Sequence, residues 1–185
     1  VVDTIVGVPC TLIDNGMPVV VMRAAALGRS GYETKQELDA DTELKARIEA
    51  IRLQAGKLMN LGDVTKKNVP KMSLIAPPRA GGALCTRTFI PHDCHSSIGV
   101  LGAVTVATAC VLPGGVAEGV AVVPAGDSKV LPIEHPTGEF TVQIETDGDA
   151  QRPKITRSAL LRTTRLLFDG HVYVPVRAWD GVEGL

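Results

Sequence analysis

The feature that most limits how this sequence can fold is an apolar run at residues 96–112. The run is rich in Ala, Val and Gly and has the length of a helix, yet no side of that helix would be polar. A helix that is apolar on every side has to be covered on every side. We therefore predict a helix that is threaded through strongly curved sheet or packed tightly beneath it. Its N-terminus is the first place to look for chemistry.

Runs of β-branched residues before and after this helix predict strands. Residues 10–13 and 19–22 flank Asp14-Asn15-Gly16-Met17-Pro18, in which Asn-Gly is a strong turn signal. Pro18 has no N–H to donate, so the segment is either an ordinary turn or a loop that presents backbone amides to a ligand. Further strands are predicted at residues 71–75, 83–90, 130–133, 139–144, 155–168 and 171–174, with a turn at Asp169-Gly170 between the last two.

A second helix is predicted over residues 34–59, where apolar residues recur at helical spacing. Thr34 and Glu37 have the spacing of a capping box, and a start near Asp41 is the alternative. The resulting order is β-β-α-β-β-α followed by several strands. This order predicts an α+β fold with one core.

The composition excludes several classes of partner. The formal net charge is -1 and aromatic residues make up 3%, so neither a basic field nor stacking platforms for bases are available. The longest apolar runs fall short of the roughly 20 residues that a membrane-spanning helix needs. We predict a soluble protein with no nucleic-acid or membrane partner. Four widely spaced cysteines without a C-x-x-C pair favour a reducing, cytoplasmic compartment.

Polar and titratable residues are concentrated at residues 86–99, just before the apolar helix. The N-terminus of a helix offers unpaired N–H groups and about half a positive charge. Ser96, Ser97 and Gly99 could therefore hold a substrate carboxylate without a metal. A plain N-cap at Ser96 or Ser97 is the other interpretation.

Cys94 is a weak catalytic candidate in the same stretch. A thiol beside a helix N-terminus has a lowered pKa and becomes a better nucleophile or base. No spacing rule supports a Cys/His dyad here, because adjacent residues of an extended segment point to opposite faces. A zinc site from His92, Cys94 and His95 also fails, because the spacing and the number of ligands do not match zinc sites. We predict no metal.

Two cations lie in apolar strand segments, Lys71 and Arg87. A buried cation normally needs an anionic partner. The two side chains either meet a substrate carboxylate or reach solvent from an outward strand face. Further along, residues 134–138 contain Pro-Thr-Gly and are predicted only to shape a turn.

Several short motifs, taken in order, resemble the methylaconitate isomerase-like family, and most closely its 4-oxalomesaconate tautomerase members. The resemblance spans nearly the whole chain. It is carried by Cys10-Thr-Leu-Ile-Asp-Asn-Gly-Met-Pro-Val-Val-Val-Met-Arg23, Gly31-Tyr-Glu33, Met59-Asn-Leu-Gly-Asp-Val64, Pro70-Lys-Met72, Thr86-Arg87, Pro91-His92, His95-x-x-Ile-Gly-Val-Leu-Gly-Ala103, His135-Pro-Thr-Gly138, Arg162-Thr-Thr-Arg165 and Asp169-Gly-His-Val-Tyr-Val-Pro175.

The resemblance implies a two-domain protein with a diaminopimelate-epimerase-like fold. Each domain would be a curved β-barrel-like sheet around a central buried helix, with the active site in the cleft between the domains. Family members use no metal or organic cofactor, and the Cys and Lys that move the proton come largely from the first domain. A typical member is roughly twice as long, and its Asn-Cys-Gly segment is absent here. Residues 1–185 are therefore expected to be the C-terminal substrate-binding domain, with the N-terminal catalytic half missing.

The resemblance also implies a substrate and a site. The expected activity is tautomerisation of 4-oxalomesaconate, a small polycarboxylate from bacterial degradation of lignin-derived or gallate-type aromatics. Methylaconitate cis-trans isomerisation is the alternative within the class, and a non-catalytic carboxylate-binding or homodimerisation module is the alternative outside it. No proton-abstracting base is evident in these residues. The positions that resemble substrate contacts are Asn15, Gly16, Lys71, His95, Ser96 and Ser97, with Arg87 as a weaker candidate.

Overall fold

The β-branched runs of the sequence form the strands of one mixed sheet. In the computed structural model, which describes residues 1–149, 151–179 and 181, eight strands follow one another across this sheet in chain order. The elements are β1 (Asp3–Ile5), β2 (Val8–Asp14), β3 (Pro18–Arg23), α1 (Lys35–Ala40), α2 (Thr42–Leu58), β4 (Lys71–Ala76), β5 (Leu84–Phe89), α3 (Val100–Val111), β6 (Ser128–His135), β7 (Gly138–Asp147) and β8 (Lys154–Leu160).

Helical crossovers determine where the sheet is parallel. The pairs β3–β4 and β5–β6 are parallel, and they are joined through α1–α2 and through α3 respectively. All other neighbouring strands are antiparallel. In the described part of the chain β1 and β8 lie at the two edges and do not pair with each other, so the sheet is not a closed barrel. The predicted α+β class is confirmed.

The helix α3 lies inside the curve of this sheet. It packs against β2 and β3 from one half of the sheet and against β6, β7 and β8 from the other. Contact with strands this far apart in the sheet requires the sheet to bend around the helix. The prediction of a central apolar helix is therefore confirmed, and its residues form one core cluster with the inward side chains of both halves.

The start of α3 differs from the prediction. The helix begins at Val100 and not at residue 96, its N-cap is Gly99, and no side chain caps it. Val100 and Leu101 are 37% and 48% exposed, so the first turn is open although the rest of the helix is buried. The interpretation of Ser96 or Ser97 as N-cap is wrong, because both residues lie before Gly99 and are bonded to another loop.

The outer face of the sheet is covered by α1 and α2. Both predicted starts of this helical region exist, because the region is two helices. The Thr34 hydroxyl accepts from Glu37 N and the Glu37 carboxylate accepts from Thr34 N, which is the predicted capping box. The Asp41 carboxylate then caps α2 by accepting from Leu44 N at 2.9 Å. The second core cluster lies between these helices and the sheet.

The strands predicted after residue 154 differ from the structure: one prediction is too long and the other strand does not form. The strand expected over residues 155–168 is confirmed only as far as Leu160, and residues 171–174 form no strand. Asp169 and Gly170 form no turn. Within the described residues no neighbouring strand lies beside residues 162–174 to pair with their backbone, and their side chains are exposed. Among the described helices, none has the length and apolarity needed to cross a membrane.

Candidate functional site

Lys71 is the first residue of β4, and its side chain points to the α3 face of the sheet. Lys71 is paired in register with Val19, which belongs to the core cluster that contains the α3 side chains. Desolvation by burial lowers the pKa of the Lys71 ammonium. Lys71 has no hydrogen-bond or ion-pair partner among the described residues, so its charge is available to a ligand.

A cavity of about 270 Å³ separates Lys71 from the first turn of α3. The first helical bond runs from Ala103 N to Gly99 O at 2.8 Å, and the three preceding N–H groups have no acceptor in the described part of the chain. These donors carry the positive end of the helix dipole. An ammonium and free backbone donors on one cavity are suited to a carboxylate. The cavity is lined by Met17, Lys71, Thr88, Ile90, Gly99, Val100, Leu101 and Gly102.

The β2–β3 turn lies against α3 and closes one side of this cavity. The Asn15 side-chain amide donates to Thr108 Oγ1 at 2.9 Å and approaches Ser158 Oγ at 3.3 Å. The Thr105 hydroxyl lies within 3.2 Å of the carbonyl oxygens of both Asn15 and Met17. Gly16 has φ +91°, and a Cβ there would lie 3.4 Å from Leu101 Cδ2. Asn15 and Gly16 therefore position the turn and the helix, and Met17 supplies the lining.

His95, Ser96 and Ser97 form a loop that is bonded to the β6–β7 turn. Ser97 N donates to His95 Nδ1 at 2.9 Å, and the Thr137 hydroxyl donates to Ser96 O at 2.8 Å. His135 Nδ1 lies 3.3 Å from Thr137 N. A backbone N–H can only donate, so Nδ1 accepts and the neutral ring carries its hydrogen on Nε2.

The hydrogen on His135 Nε2 determines whether the Ser97 hydroxyl donates or accepts in their shared hydrogen bond. His135 Nε2 lies 3.2 Å from Ser97 Oγ and donates to it, which leaves the Ser97 hydroxyl hydrogen free to donate elsewhere. Desolvation by burial lowers the pKa of His135, so the neutral ring is favoured. The sequence predicted only a turn at residues 134–138 and missed this role of His135. The Ser-Ser and His-Pro-Thr-Gly motifs were visible separately, but nothing in the spacing showed that they meet.

Cys94 does not have the lowered pKa that the sequence predicted. The residue is 1% exposed, and burial, helped by the charge of Asp39, raises its pKa to about 11. Its side chain belongs to the core cluster under α1 and α2 and not to the cluster that contains α3, whose helix dipole would favour a thiolate. Burial raises the pKa of the other three free thiols as well: that of Cys85, that of Cys10 to about 11 and that of Cys110 to about 12.

Arg87 lies on the opposite face of the sheet from Lys71. It is paired in register with Leu74, whose side chain belongs to the cluster under α1 and α2. The Arg87 guanidinium donates to Glu33 O at 2.5 Å and to Thr86 O at 2.8 Å. Arg87 and Lys71 therefore do not converge on one cavity.

The candidate metal ligands stay apart. His92 Nδ1 lies 3.8 Å from a Glu49 carboxylate oxygen and its side chain is 61% exposed, whereas the Cys94 thiol is buried. Across residues 1–149, 151–179 and 181, no three His, Cys, Asp or Glu side chains form a group that could hold a metal ion.

Several known proteins are similar to this chain in sequence. The family model described as PrpF protein matches residues 2–175. The chain is 62% identical over 173 residues to a "(4E)-oxalomesaconate Delta-isomerase" of Novosphingobium sp. strain KA1, which covers 94% of this chain and 48% of the relative. It is 54% identical over 181 residues to a "4-oxalomesaconate tautomerase" of Pseudomonas putida strain KT2440, with coverage of 98% and 49%. The chain thus spans about half the length of these curated relatives.

A solved structure agrees on the fold. The crystal structure of a methylitaconate-delta-isomerase superposes with a TM-score of 0.70 over 88% of this chain and 48% of that one. The sequence identity is 17%, so this likeness bears on the fold alone.

Proposed function

The chain belongs to the PrpF protein family, and on that premise we propose that it is the substrate-binding half of an isomerase that moves a proton on 4-oxalomesaconate. The proposal is supported by the names of the two relatives at 62% and 54% identity, each of which is about twice as long as the aligned segment. The cavity between Lys71 and α3 is the single structural observation that carries it. We place the protein in the cytoplasm of a bacterium that degrades aromatic acids.

The chemistry of a proton shift explains what this cavity contributes. Removing a proton from carbon beside a carbonyl group leaves negative charge on an enolate or dienolate, and a proton is then returned at another position. No electrons are gained or lost. The Lys71 ammonium and the free N–H groups of α3 would stabilise that charge, because preorganised donors and cations are most effective in a water-poor site. Anchoring a substrate carboxylate there also orients the proton that moves.

The proton-transferring groups are assigned to the half of the full-length relatives that this chain does not align with. A general base needs a pKa near the working pH, and the Cys94 thiol, with a pKa of about 11, does not meet that requirement. The Asn15–Met17 turn and the His95–Ser97 loop then serve the binding half. The turn is bonded to Thr105 and Thr108 of α3, and the Ser97 hydroxyl keeps a hydrogen that is free to donate.

Calorimetry with an oxalomesaconate-like tricarboxylate tests the binding role. Replacing Lys71 with Met should weaken binding by roughly tenfold or more, because a hydrogen bond to a charged group is worth about 1.5–3 kcal/mol. Lys154→Met removes the same charge from an exposed position of β8 and is the control. Binding should also weaken as the pH rises towards 10.5, starting below the range of an ordinary lysine, because burial lowers the Lys71 pKa. Equal affinity in both variants would rule out Lys71 as the anchor.

A turnover assay separates this proposal from its alternatives. The chain alone should bind 4-oxalomesaconate but isomerise it far more slowly than a full-length relative. Turnover near the full-length rate would show that the proton-moving groups lie in this chain. Tighter binding of methylaconitate than of oxalomesaconate would favour methylaconitate as the substrate. If neither compound binds, the remaining alternative is that the chain is a non-catalytic dimerisation module.

A further inference from the structure

Arg87 is a buried cation without a carboxylate in contact. The residue is 7% exposed, and its Nε and Nη1 atoms donate to the carbonyl oxygens of Glu33 and Thr86. Nη1 also lies 3.4 Å from the Cys85 sulfur. No described carboxylate forms an ion pair with it, and Nη2 has no acceptor in the described part of the chain. Taking an ion out of water is unfavourable unless a partner compensates.

Open space reaches the unpartnered side of this guanidinium. In the described residues, every fully buried side-chain nitrogen or oxygen has a hydrogen-bond partner. Arg87 Nη2 lacks one, so it is not fully buried and faces a cavity. Two adjoining cavities, of about 360 and 260 Å³, share Tyr32 and Arg87 in their walls. The larger one also includes Arg79, Glu134 and His135.

Arg79 brings a second cation to the larger cavity. Its guanidinium lies over the Tyr32 ring, 4.9 Å from the centroid, and forms no ion pair among the described residues. The ring is held in turn by the Tyr32 hydroxyl, which donates to Pro77 O at 3.0 Å. Stacking on an aromatic ring fixes the plane of a guanidinium while leaving its N–H groups free.

The carboxylates near this cavity are engaged or lie at its rim. Glu134 is 6% exposed and accepts from the N–H groups of Arg79, Ala80 and Gly82 at 2.7–2.8 Å. It therefore holds the loop that carries Arg79 and acts on Arg87 only through space. Glu139 lines the rim and is exposed. Because the cavity holds two arginines and two carboxylates, a ligand with one small anionic group suits it better than a polyanion.

We propose that the cavity at Arg87 and Arg79 is a binding site for the carboxylate of a small molecule. Arg87 Nη2 and the Arg79 guanidinium supply planar donors, and planar forks suit carboxylates. The site is on the α1–α2 face of the sheet, opposite to the cavity at Lys71. It does not depend on the proposed isomerase function.

Malonate is the probe, titrated at constant ionic strength and followed by ¹H–¹⁵N NMR. The Arg87 Nε–Hε signal and the amides of Ala80 and Gly82 should shift together. The dissociation constant should rise about tenfold in Arg87→Met and about threefold in Arg79→Gln, as expected for charge-assisted bonds. It should stay within about twofold in Arg157→Gln, an exposed arginine on β8 that serves as control.

The proposal is overturned if malonate leaves these signals unmoved or if Arg79→Gln binds as tightly as the parent chain. It is also overturned if inorganic phosphate saturates the site and malonate does not. Arg87→Met loses two bonds to carbonyl groups and is the variant most at risk of not folding. Arg79→Gln changes an exposed side chain, so it decides the question in that case. Loss of binding in Lys71→Met alone would assign malonate to the other cavity and refute this one.

Discussion

The Asn15 side-chain amide donates a 2.9 Å hydrogen bond to the Thr108 hydroxyl, 93 residues further along the chain. Thr108 lies inside the apolar helix α3 and is 3% exposed. The bond joins the tip of the first long hairpin to the middle of the central helix. The Asn15–Met17 turn therefore changes the direction of the chain and also fixes the helix that it touches.

Asn15→Ala should lower the free energy of unfolding by about 1–2 kcal/mol, because a nearly buried hydroxyl loses its donor. Ser158→Ala removes only the longer 3.3 Å contact of the same amide and should cost less. Urea unfolding followed by circular dichroism measures both. A loss in Asn15→Ala no greater than in Ser158→Ala would show that the link to Thr108 contributes little.

Arg52 is the largest fully buried side chain, and its loss should be costly. Its guanidinium pairs with Glu49 at 2.7 Å and donates to the carbonyl oxygens of Val64, Lys67 and Val69. Arg52→Met leaves those acceptors unpaired, and we expect a loss of about 3–5 kcal/mol. The matched control is Arg47→Met, an exposed position on the same helix, which should change stability by less than about 1 kcal/mol in guanidinium unfolding. Equal losses would contradict the structure.

Cys94 should be unreactive in the folded protein. With a pKa of about 11, only about one thiol in a thousand is a thiolate at pH 8. Labelling with a disulfide reagent at pH 8 should therefore be at least roughly a hundredfold slower in the folded chain than in urea. Mass spectrometry identifies the labelled residue. Rapid modification of Cys94 in the folded chain would restore it as a catalytic candidate.

Glu134 should make stability depend on pH in the acid range. Burial alone would raise the pKa of this carboxyl, but three backbone N–H groups and the Arg87 charge hold it below its usual value of 4.5. The unfolded chain then takes up the proton first as the pH falls. The contribution of Glu134 is complete above about pH 5 and is lost as the pH falls from there through the lower folded-state pKa.

Glu134→Gln should therefore be less stable than the parent chain at pH 7, by about 1.5–3 kcal/mol for a charged acceptor. The difference should shrink as the pH falls towards 3, as measured by chemical unfolding at each pH. Glu139→Gln, at an exposed neighbouring position, is the control for removing one charge. A gap that stays constant across this range would refute the assignment.

Much of the architecture follows from local patterns. The Asn-Gly turn, the capping box at Thr34 and the strand-forming runs of β4 and β5 are short-range signals, and the structure forms all of them. The apolar run at residues 96–112 also predicts correctly that a helix is enclosed by the sheet. These features succeed because the residues that determine them are close together in the sequence.

The errors concern contacts between distant segments. Ser96 and Ser97 look like helix caps, but they bond to residues about forty positions later and α3 starts after them. The sequence leaves open whether Lys71 and Arg87 meet a substrate carboxylate or reach solvent, and only the strand register shows that the two side chains lie on opposite faces. The lowered pKa expected for Cys94 is not found either, because burial, which depends on the whole fold, raises the pKa of this thiol.

The two threonines of α3 have a consequence for its orientation. When a helix is apolar on every side, its packing energy changes little as it rotates about its long axis. Thr105 and Thr108 lie roughly 60° apart around that axis at 100° per residue, and the β2–β3 turn bonds both hydroxyls. Turning the helix would bury these hydroxyls against apolar side chains. The hydrogen bonds from the turn therefore fix the rotation of α3 about its axis. They thereby set the direction of the free N–H groups at the start of α3.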